Sequence, residues 1–300
     1  MRRRRLRQTA GMGQADPLVD VVIPVYNGER TIRRSVESVL SQAYQRIHVI
    51  VVDDGSTDST SRILHEFHDP RLSVVSRPHE GVSAARNAGI SAGRGDYVTF
   101  LDADDEPYPR WLQVLVELAD GSALVGCAGR IEQEGHHVRV KEPQPDDQGS
   151  VWPVFLAGLF MVKRGVLEQA GGYDVALARS ENTDLGYRLV AVVSERGEEV
   201  KVTDEILVWI RRPREQASKY SPRVRRTAAE AMLAKNPQWR TEEPRLAGTY
   251  RAIAGYSALR EGDVRIARSH LSQAVRLYPT RAKYWLLLAR TWMPRSQRAQ

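Results

Sequence analysis

Short apolar runs alternate with helical patterns over the first third of the chain. Their length and β-branched content predict four strands, at residues 20–24, 47–52, 72–76 and 98–101. Between them the pattern predicts a helix over 29–42, a helix capped by Thr57 or Asp58 that runs to about Phe67, and a small-residue helix that opens at Gly81. This alternation predicts an α/β sandwich with a mostly parallel sheet.

The middle of the chain is less regular. We predict a hairpin around Gly135, a loop over the site, a helix and a last strand, at residues 124–140, 141–150, 181–193 and 205–210 respectively. We interpret the His136 and His137 pair as part of an exposed turn rather than as metal ligands.

From residue 227 onward the sequence is helical and the alternation stops. Small and apolar residues match the spacing of one tetratricopeptide repeat and the first helix of another: Gly255, Gly262, Ala267, Leu271, Ala274, Pro279, Trp285 and Leu288. One and a half repeats do not form a long solenoid. We therefore expect this region to pack on the main domain, on helices from 227–247 or on a partner protein. A generic helical hairpin is the alternative.

Three of the predicted strands end in distinctive polar residues: PVYN at 24–27, DDGSTD at 53–58 and DADD at 102–105. In parallel sheets, ligands bind at the carboxyl ends of the strands, so we expect these segments to meet at one edge. Three carboxylates within four positions repel one another. A bound Mg²⁺ or Mn²⁺ would stabilise them. The structural alternative is an acidic turn before a helix that starts near Pro107.

Composition narrows the class of protein. The chain has 300 residues, of which 42% are hydrophobic, enough for one large domain with a small appendage. No apolar stretch approaches the length of a membrane-spanning helix, and the N-terminus lacks the apolar core of a secretory signal. The single cysteine, Cys127, excludes an internal disulfide framework and fits a reducing compartment. We therefore predict a cytoplasmic protein.

The net charge of +7 is unevenly distributed. Residues 2–7 hold five arginines, and residues 211–226 hold seven Lys and Arg residues against one acid, Glu215. We interpret 1–17 as a disordered basic arm that could dock at an anionic inner membrane surface, and 211–226 as a basic linker or loop. No nucleic-acid module signature is present and aromatic interleaving is sparse, so we predict no nucleic-acid partner.

Four segments in order resemble the family 2 glycosyltransferases: PVYN at 24–27, VVDDGSTD at 51–58, ARNAG at 85–89 and LDADD at 101–105. These are inverting enzymes with the nucleotide-sugar-binding GT-A fold, and the resemblance covers about 18–210, with 227–300 as a separate helical region. It implies a divalent cation, a nucleotide diphosphate sugar donor, by default a UDP-sugar, and a glycan or lipid-linked acceptor. Such an enzyme would serve polysaccharide, glycolipid or other glycoconjugate synthesis.

The resemblance also assigns roles to residues. It implies that Asp104 is the metal ligand and that Asp102 lies nearer the ribose or a metal-bound water. The candidate donor-binding residues are Pro24, Tyr26, Asn27, Glu29, Asp53, Asp54, Arg86, Asn87 and Asp102. The segment GGYD at 171–174 resembles the family's acceptor-side motif.

The expected catalytic base is the point at which the chain departs from the family. Family members carry Glu-Asp-x-Asp-Leu here, and the second acid is taken as the base, whereas this chain has Asn182. An amide cannot accept a proton at neutral pH. Glu181 and Asp184, at i and i+3 on one helix face, are therefore our candidate catalytic residues. A pair of acids capping the helix is the structural alternative.

Two other functions are considered as alternatives to an active glycosyltransferase. A weakened glycosyltransferase-like protein whose helical tail recruits a partner is supported by Asn182. A nucleotidyltransferase of similar topology would carry a glycine-rich, basic loop after the first strand, but this loop offers only Gly28. An active glycosyltransferase is the function that the sequence favours.

Overall fold

The computed structural model describes residues 16–133, 136–145, 149–212 and 220–293. Residues 1–15 of the predicted basic arm lie outside the described residues. The strands are β1 (Val19–Val25), β2 (Ile47–Asp53), β3 (Leu72–Ser76), β4 (Tyr97–Phe100), β5 (Glu106–Pro107), β6 (Leu124–Gln133), β7 (His136–Lys141), β8 (Gln144–Pro145), β9 (Val151–Trp152), β10 (Phe160–Lys163) and β11 (Val200–Arg212). The helices are α1 (Ile32–Leu40), α2 (Thr60–His65), α3 (Val82–Ala92), α4 (Trp111–Ala119), α5 (Arg164–Gln169), α6 (Glu181–Arg196), α7 (Pro222–Lys235), α8 (Trp239–Glu242), α9 (Pro244–Glu261), α10 (Val264–Leu277) and α11 (Ala282–Arg290).

One mixed sheet organises the first 212 residues. Across the described chain its strand order is β3-β2-β1-β4-β10-β6-β11-β5, with β7 paired to β6. The first four strands are parallel, and β10 runs antiparallel between β4 and β6. The predicted α/β sandwich is therefore confirmed, but the sheet is mixed and not mostly parallel, because four of the eight strand pairings described for it are antiparallel. The carboxyl ends of β1, β2 and β4 lie at one edge, as the polar strand ends predicted.

Helices cover both faces of this sheet. Alternate β1 side chains point to opposite sides: Val21 and Ile23 pack with α1, α2 and α4, whereas Val22 packs with α3, α5 and α6. Strands that are covered on both faces have no solvent side, which explains why β2 is apolar at every position from Val49 to Val52. The largest buried side chain on the α4 face, Trp111, donates its indole N–H to the carbonyl of Gly158 at 2.8 Å. This packing holds the strand ends rigidly.

Two predicted loops contain regular structure. The hairpin of β6 and β7 is confirmed, but the segment at 141–150 is not a simple loop, because Pro145 of β8 pairs with Val151 of β9. The basic segment at 211–226 is ordered at both ends. Arg211 and Arg212 belong to β11, and α7 begins at Pro222. Ser221 caps that helix by accepting from the N–H of Val224 at 3.3 Å. Residues 146–148 and 213–219 lie outside the described residues.

The C-terminal region is helical, as expected, and consists of α7 to α11 within the described residues. A Cβ on Gly255 of α9 would lie 2.6 Å from Cγ of Leu271 in α10, so only glycine permits this close approach of the two helices. Helix α9 packs on α7, and the region packs on the main domain, where Trp239 of α8 contacts Tyr187 of α6 with ring centroids 4.6 Å apart. None of the helices within the described residues has the length and apolar character needed to cross a membrane.

Candidate active site

A cleft of about 770 Å³ opens where β1, β2 and β4 end. The start of α3 forms one wall and the first turn of α6 another. Its lining comprises Pro24, Val25, Tyr26, Asn27, Gly28, Arg30, Thr31, Asp54, His79, Glu80, Gly81, Val82, Ser83, Ala85, Arg86, Asp102, Ala103, Asp104, Val175, Ala176, Leu177, Ala178, Glu181 and Tyr220. The sheet topology thus brings residues from distant parts of the sequence into one concave site.

One end of the cleft carries an aromatic pair. The rings of Tyr26 and His79 stack with centroids 3.9 Å apart and planes 24° apart, and Tyr26 is 47% exposed. Asp54, buried beside them, fixes the loop that carries His79. Its Oδ2 accepts from the N–H of Gly81 at 2.8 Å, and its Oδ1 accepts from the N–H of Glu80 at 3.2 Å. The exposed ring face provides a flat surface for a planar ligand such as a nucleobase.

Arg86 joins the two acidic walls of the cleft. Its guanidinium is buried, and it donates through Nη2 to Oδ1 of Asp102 at 2.8 Å and through Nη1 to Oε1 of Glu181 at 3.1 Å. The ring of Tyr173 lies 5.0 Å from the guanidinium carbon. Burial alone would lower the pKa of Arg86, but Tyr173, Asp102 and Glu181 together raise it above its ordinary value. Arg86 is therefore a permanent cation that fixes both carboxylates.

The acidic cluster forms a compact oxygen donor set. Carboxylate oxygens of Asp102, Asp104 and Asp105 lie within 4.8 Å of one another. Asp105 is buried and accepts from the N–H of Arg211 at 2.9 Å. Burial, followed by the charges of Asp102 and Asp104, raises the pKa of Asp105. Hard oxygen ligands so close together suit Mg²⁺ or Mn²⁺, so the residues present fit a divalent cation.

A smaller cavity of about 60 Å³ adjoins this cluster. Its lining includes all three aspartates of the cluster, Asn182 and Arg212. The hydroxyl of Tyr173 donates to Oδ1 of Asn182 at 2.9 Å. Burial raises the pKa of that hydroxyl, so Tyr173 remains a neutral donor. The amide oxygen of Asn182 is thus engaged, and its NH₂ group, which can only donate, remains for the cavity.

Comparison with known proteins identifies the family. The sequence model described as "Glycosyl transferase family 2" matches residues 20–169, which is half of the chain. The chain belongs to glycosyl transferase family 2. The family match covers β1, β2, β4 and the acidic cluster, and it excludes Glu181 and the C-terminal helices.

The relatives and solved structures agree with this family. Glycosyltransferase GlyA of Streptococcus pneumoniae is 42% identical over 92 residues, or 30% of this chain and 13% of GlyA. EpsJ of Bacillus subtilis, described as an uncharacterized glycosyltransferase, is 38% identical over 115 residues, or 37% of this chain and 33% of EpsJ. The chain therefore spans a third or less of these curated relatives. S. aureus TarS 1–349 in complex with UDP-GlcNAc superimposes with a TM-score of 0.62 at 18% identity, covering 91% of this chain and 90% of TarS 1–349.

These comparisons confirm the GT-A fold and the membership of glycosyl transferase family 2. Eight of the predicted site residues line the cleft together: Pro24, Tyr26, Asn27, Asp54, Arg86, Asp102, Asp104 and Glu181. Four others do not: Glu29, Asp53, Asn87 and Asp184. The family motifs therefore lie around the cleft, but they do not distinguish residues that face the cleft from residues that build the turns around it.

Glu29 and Asp53 stabilise the loops at the strand ends. Oε2 of Glu29 accepts from the N–H of Ser59 at 3.0 Å, just before α2. Oδ1 of Asp53 accepts from the N–H of Ser56 at 2.9 Å, within the turn that follows β2. Unpaired backbone donors in turns and helix starts need such acceptors. Their carboxylates lie away from the cleft for this reason.

The two asparagines of the motifs also bond to backbone. Asn87 pairs with both backbone polar groups of Tyr173: Nδ2 donates to its carbonyl and Oδ1 accepts from its N–H, each at 2.8 Å. These two hydrogen bonds fix the GGYD segment against α3, and the side chain of Asn87 does not line the cleft. Asn27 does line the cleft, but its Oδ1 accepts from the N–H of Thr57 at 2.8 Å.

Asp184 does not line the cleft beside Glu181, although the two acids lie at i and i+3 on one face of α6 as predicted. Residues at i and i+3 are about 60° apart around a helix, enough to separate two surroundings. Asp184 is buried, and it pairs with Nη2 of Arg188 and with Nζ of Lys235, each at 2.7 Å. Because Lys235 belongs to α7, Asp184 links the main domain to the C-terminal helices. Glu181 is the acid of this pair that faces the cleft.

Three further residues of the site are not among the site residues predicted from the sequence. His79 forms half of the aromatic pair, and Tyr173 supports Arg86 and Asn182. Ser83 lies in the first turn of α3 and lines the cleft. Among the described residues its buried hydroxyl has no hydrogen-bond partner. Ser83 lies in the small-residue helix that is predicted to open at Gly81, but it precedes the ARNAG motif at 85–89 and was not predicted as a site residue. No spacing pattern marks His79.

Backbone strain is concentrated beside the cleft. In the described part of the chain, the non-glycine residues with φ in the left-handed region, above +20°, are Asn27 at 52° and Ser180 at 67°. Asn27 ends the turn after β1, and Ser180 precedes Glu181. Strained conformations of this kind persist where the surrounding structure holds them, often at functional sites. The strained backbone of Ser180 and the hydrogen bond from Arg86 therefore both hold Glu181 in position.

Proposed function

We propose that this glycosyltransferase transfers a sugar, with inversion and with a divalent cation, from a UDP-sugar to an acceptor hydroxyl. The observation that carries the proposal is the bridge from Asp102 through Arg86 to Glu181 across the cleft. It joins the carboxylates suited to a cation with the one carboxylate suited to act as a base. The acceptor class is a glycan or lipid-linked precursor in polysaccharide, glycolipid or other glycoconjugate synthesis.

The donor fits the cleft by its chemistry. A uracil ring would stack on Tyr26, beside Asp54 and His79. The first turn of α3 opens into the cleft with the hydroxyl of Ser83. Free N–H groups at a helix start favour an anionic diphosphate. S. aureus TarS 1–349, which has the same fold, has been solved in complex with UDP-GlcNAc and with UDP.

Asp104 and Asp102 would hold the cation. When bound, a divalent cation neutralises the charge that develops on the leaving diphosphate. Arg86 positions Asp102 for this role through its 2.8 Å hydrogen bond. Asp105, which is buried, anchors the cluster to β11 through the N–H of Arg211.

Glu181 would act as the general base. The acceptor oxygen forms a bond to the anomeric carbon while the bond to the diphosphate breaks, and the hydroxyl proton moves to the Glu181 carboxylate. One displacement of this kind inverts the anomeric configuration. Its hydrogen bond with Arg86 orients the Glu181 side chain in the cleft wall. Asn182, one residue later, would donate its NH₂ to a substrate oxygen and takes no proton.

A second candidate function has one specific observation in its favour. Asn182 lies beside the acidic cluster, at the position where the family resemblance places its base. A weakened transferase-like protein whose helical tail recruits a partner would show donor binding but little turnover. The two functions differ in rate and not in affinity, so a turnover assay separates them.

Release of UDP tests the proposal. We expect UDP and Mn²⁺ together to raise the melting temperature, and UDP-GlcNAc or another UDP-sugar to release UDP, faster with acceptor than with water. Removal of the metal with a chelator should abolish the release, and Asp104→Ala should lower it by at least about 10³-fold. Donor binding without turnover over a panel of UDP-sugars and acceptors would favour the weakened protein. Full activity of Asp104→Ala would contradict the metal assignment.

Domain limits and location complete the proposal. We propose a catalytic domain that ends with β11 near Arg212, and a helical region from α7 onward. We also propose a cytoplasmic enzyme, since the single cysteine is buried as a free thiol.

A further inference from the structure

The last helix of the described chain, α11, has apolar side chains on two faces. Tyr284 and Leu287 are buried against the preceding helices. On the opposite face, the large apolar side chains are exposed: Trp285 by 53%, Leu286 by 66% and, just after the helix, Trp292 by 60%. Large apolar side chains of a folded domain are seldom so exposed in one place, and where they are, they mark an interaction surface.

The exposed residues form one continuous stripe. Trp285, Leu286 and Ala289 lie on α11, which ends at Arg290, and Trp292 and Met293 follow in the turn directly after it. We call Trp285, Leu286, Ala289, Trp292 and Met293 the α11 stripe. Every member of the α11 stripe is exposed. The stripe therefore follows the helix and the turn after it, and its members are not isolated exposed residues.

Both indoles of the α11 stripe are held in place. Nε1 of Trp285 donates to the carbonyl of Pro279 at 2.9 Å. The guanidinium of Arg268 lies 4.4 Å from the ring centroid of Trp292. Side chains that are both exposed and fixed lose little conformational entropy when they bind a partner. This pre-organisation favours a binding role over chance exposure.

The charge around the α11 stripe has one sign. Residues 264–300 contain eight Lys and Arg residues and no Asp or Glu. Two of these cations, Lys283 and Arg290, lie on α11 itself. A second copy of this surface would bring two strongly positive regions together, so charge opposes self-association through it. The partner should instead be anionic and should accept aliphatic side chains.

An anionic lipid surface has both properties. Leu286 and Met293 are aliphatic and would enter the hydrocarbon boundary, indoles partition to the headgroup level, and Lys and Arg pair with acidic headgroups. Nucleic acid could pair its phosphates with the cations and stack its bases on the indoles, but it offers no apolar surface for the aliphatic residues between them.

We propose that α11 lies flat on an anionic membrane surface and docks the enzyme there through the α11 stripe. The proposal does not use the catalytic assignments, and it names other residues than the arginines at 2–7. It places the docking element on the C-terminal helical region, which is joined to the catalytic domain through α7 and α8.

Vesicle flotation of the full chain tests this proposal. We expect the protein to float with phosphatidylglycerol-containing vesicles and not with pure phosphatidylcholine, and the binding should weaken with salt. Tryptophan emission should shift to the blue on binding, and lipids brominated in the acyl chains should quench it.

Variants locate the contact. Trp285→Ser with Leu286→Ser should lower vesicle binding at least about tenfold, because this apolar surface supplies the insertion energy. Lys283→Glu with Arg290→Glu should lower binding to anionic vesicles. The matched control is Val138→Ser with Val140→Ser, which changes two comparably exposed apolar residues on β7 and should leave binding unchanged. Circular dichroism and melting temperature confirm that each variant is folded.

Five results would overturn the proposal. Equal loss in the β7 control, or undiminished binding of the α11 double variant, would remove the α11 stripe from the contact. Binding that disappears only when residues 2–7 are deleted would assign docking to the N-terminal arm. Tighter binding to an RNA oligonucleotide than to vesicles would make the surface a nucleic-acid site. A concentration-dependent dimer that Leu286→Ser dissociates would make it an interface between copies.

Discussion

Glu181 and Asp184 stand three residues apart in the first turn of α6, and they meet opposite surroundings. Glu181 faces the cleft and accepts from Arg86. Asp184 is buried outside the cleft and pairs with Arg188 and Lys235. The same kind of side chain thus belongs to the reaction site in one case and to a domain junction in the other.

The difference shows how a helix start can serve two functions. The turn from Glu181 to Asp184 is held by Arg86 on the cleft side and by Lys235 on the α7 side. A buried carboxylate with two cationic partners contributes to stability only while those partners remain. Mutations on the cleft side should therefore reduce turnover, whereas mutations on the α7 side should reduce stability.

The largest expected effect on turnover belongs to Glu181→Gln. The amide keeps the shape of the side chain but cannot accept the acceptor proton, so kcat should fall by about 10³-fold with stability nearly unchanged. Initial rates of UDP release at saturating donor measure this. Loss of less than tenfold in an active preparation would assign the base elsewhere.

Arg86→Lys should have the next largest effect. A lysine has one ammonium group and cannot reproduce the planar fork that holds Asp102 and Glu181 together, so kcat should fall by about 10- to 100-fold. The dependence of the rate on Mn²⁺ concentration should also shift, since Asp102 loses its fixed partner. A variant with wild-type kcat and wild-type metal dependence would show that the bridge has no role in turnover.

Asn182→Asp tests whether the cleft has lost its base or has kept it at Glu181. In our account, an added carboxylate at this position is not needed, so kcat should stay within about threefold of wild type. The double variant Glu181→Gln with Asn182→Asp should remain inactive. An increase of tenfold or more in the single variant, or rescue in the double variant, would favour the weakened-transferase alternative.

Asp184→Asn should have the smallest effect on turnover and a clear effect on stability. Neutralising this carboxylate leaves Arg188 and Lys235 without their shared partner. We expect the free energy of unfolding to fall by about 1–3 kcal/mol, below the usual cost of breaking a buried pair because Lys235 remains partly exposed. Chemical denaturation measures the loss, and kcat at a temperature below the transition should stay within about threefold. Lys235→Met is the matched partner variant.

The sequence patterns predicted the strands and the shared edge of the sheet because burial on both faces leaves a direct record in apolar runs. The apolar run at 47–52 became β2, and the polar segments after β1, β2 and β4 did converge. The family resemblance located most of the cleft for a similar reason, since its motifs lie at those strand ends. The fold and the position of the cleft could thus be predicted from the sequence.

The roles of individual motif residues were not accessible in this way. Asn87 and Asp53 have the chemistry of ligand-binding residues, yet they satisfy backbone groups of Tyr173 and Ser56. The direction of Asp184 depends on Lys235, a residue from α7 that no local pattern connects with it. Long-range partners of this kind decide function, and only the folded chain brings them together.

The most direct test of the account compares kcat for Glu181→Gln and Asp184→Asn in one assay, with UDP release measured at saturating donor and Mn²⁺. We predict that Asp184→Asn retains near-wild-type turnover and exceeds Glu181→Gln by about 10³-fold. A ratio near one, or a greater loss in Asp184→Asn at a temperature where it is folded, would contradict the assignment of Glu181 as the base.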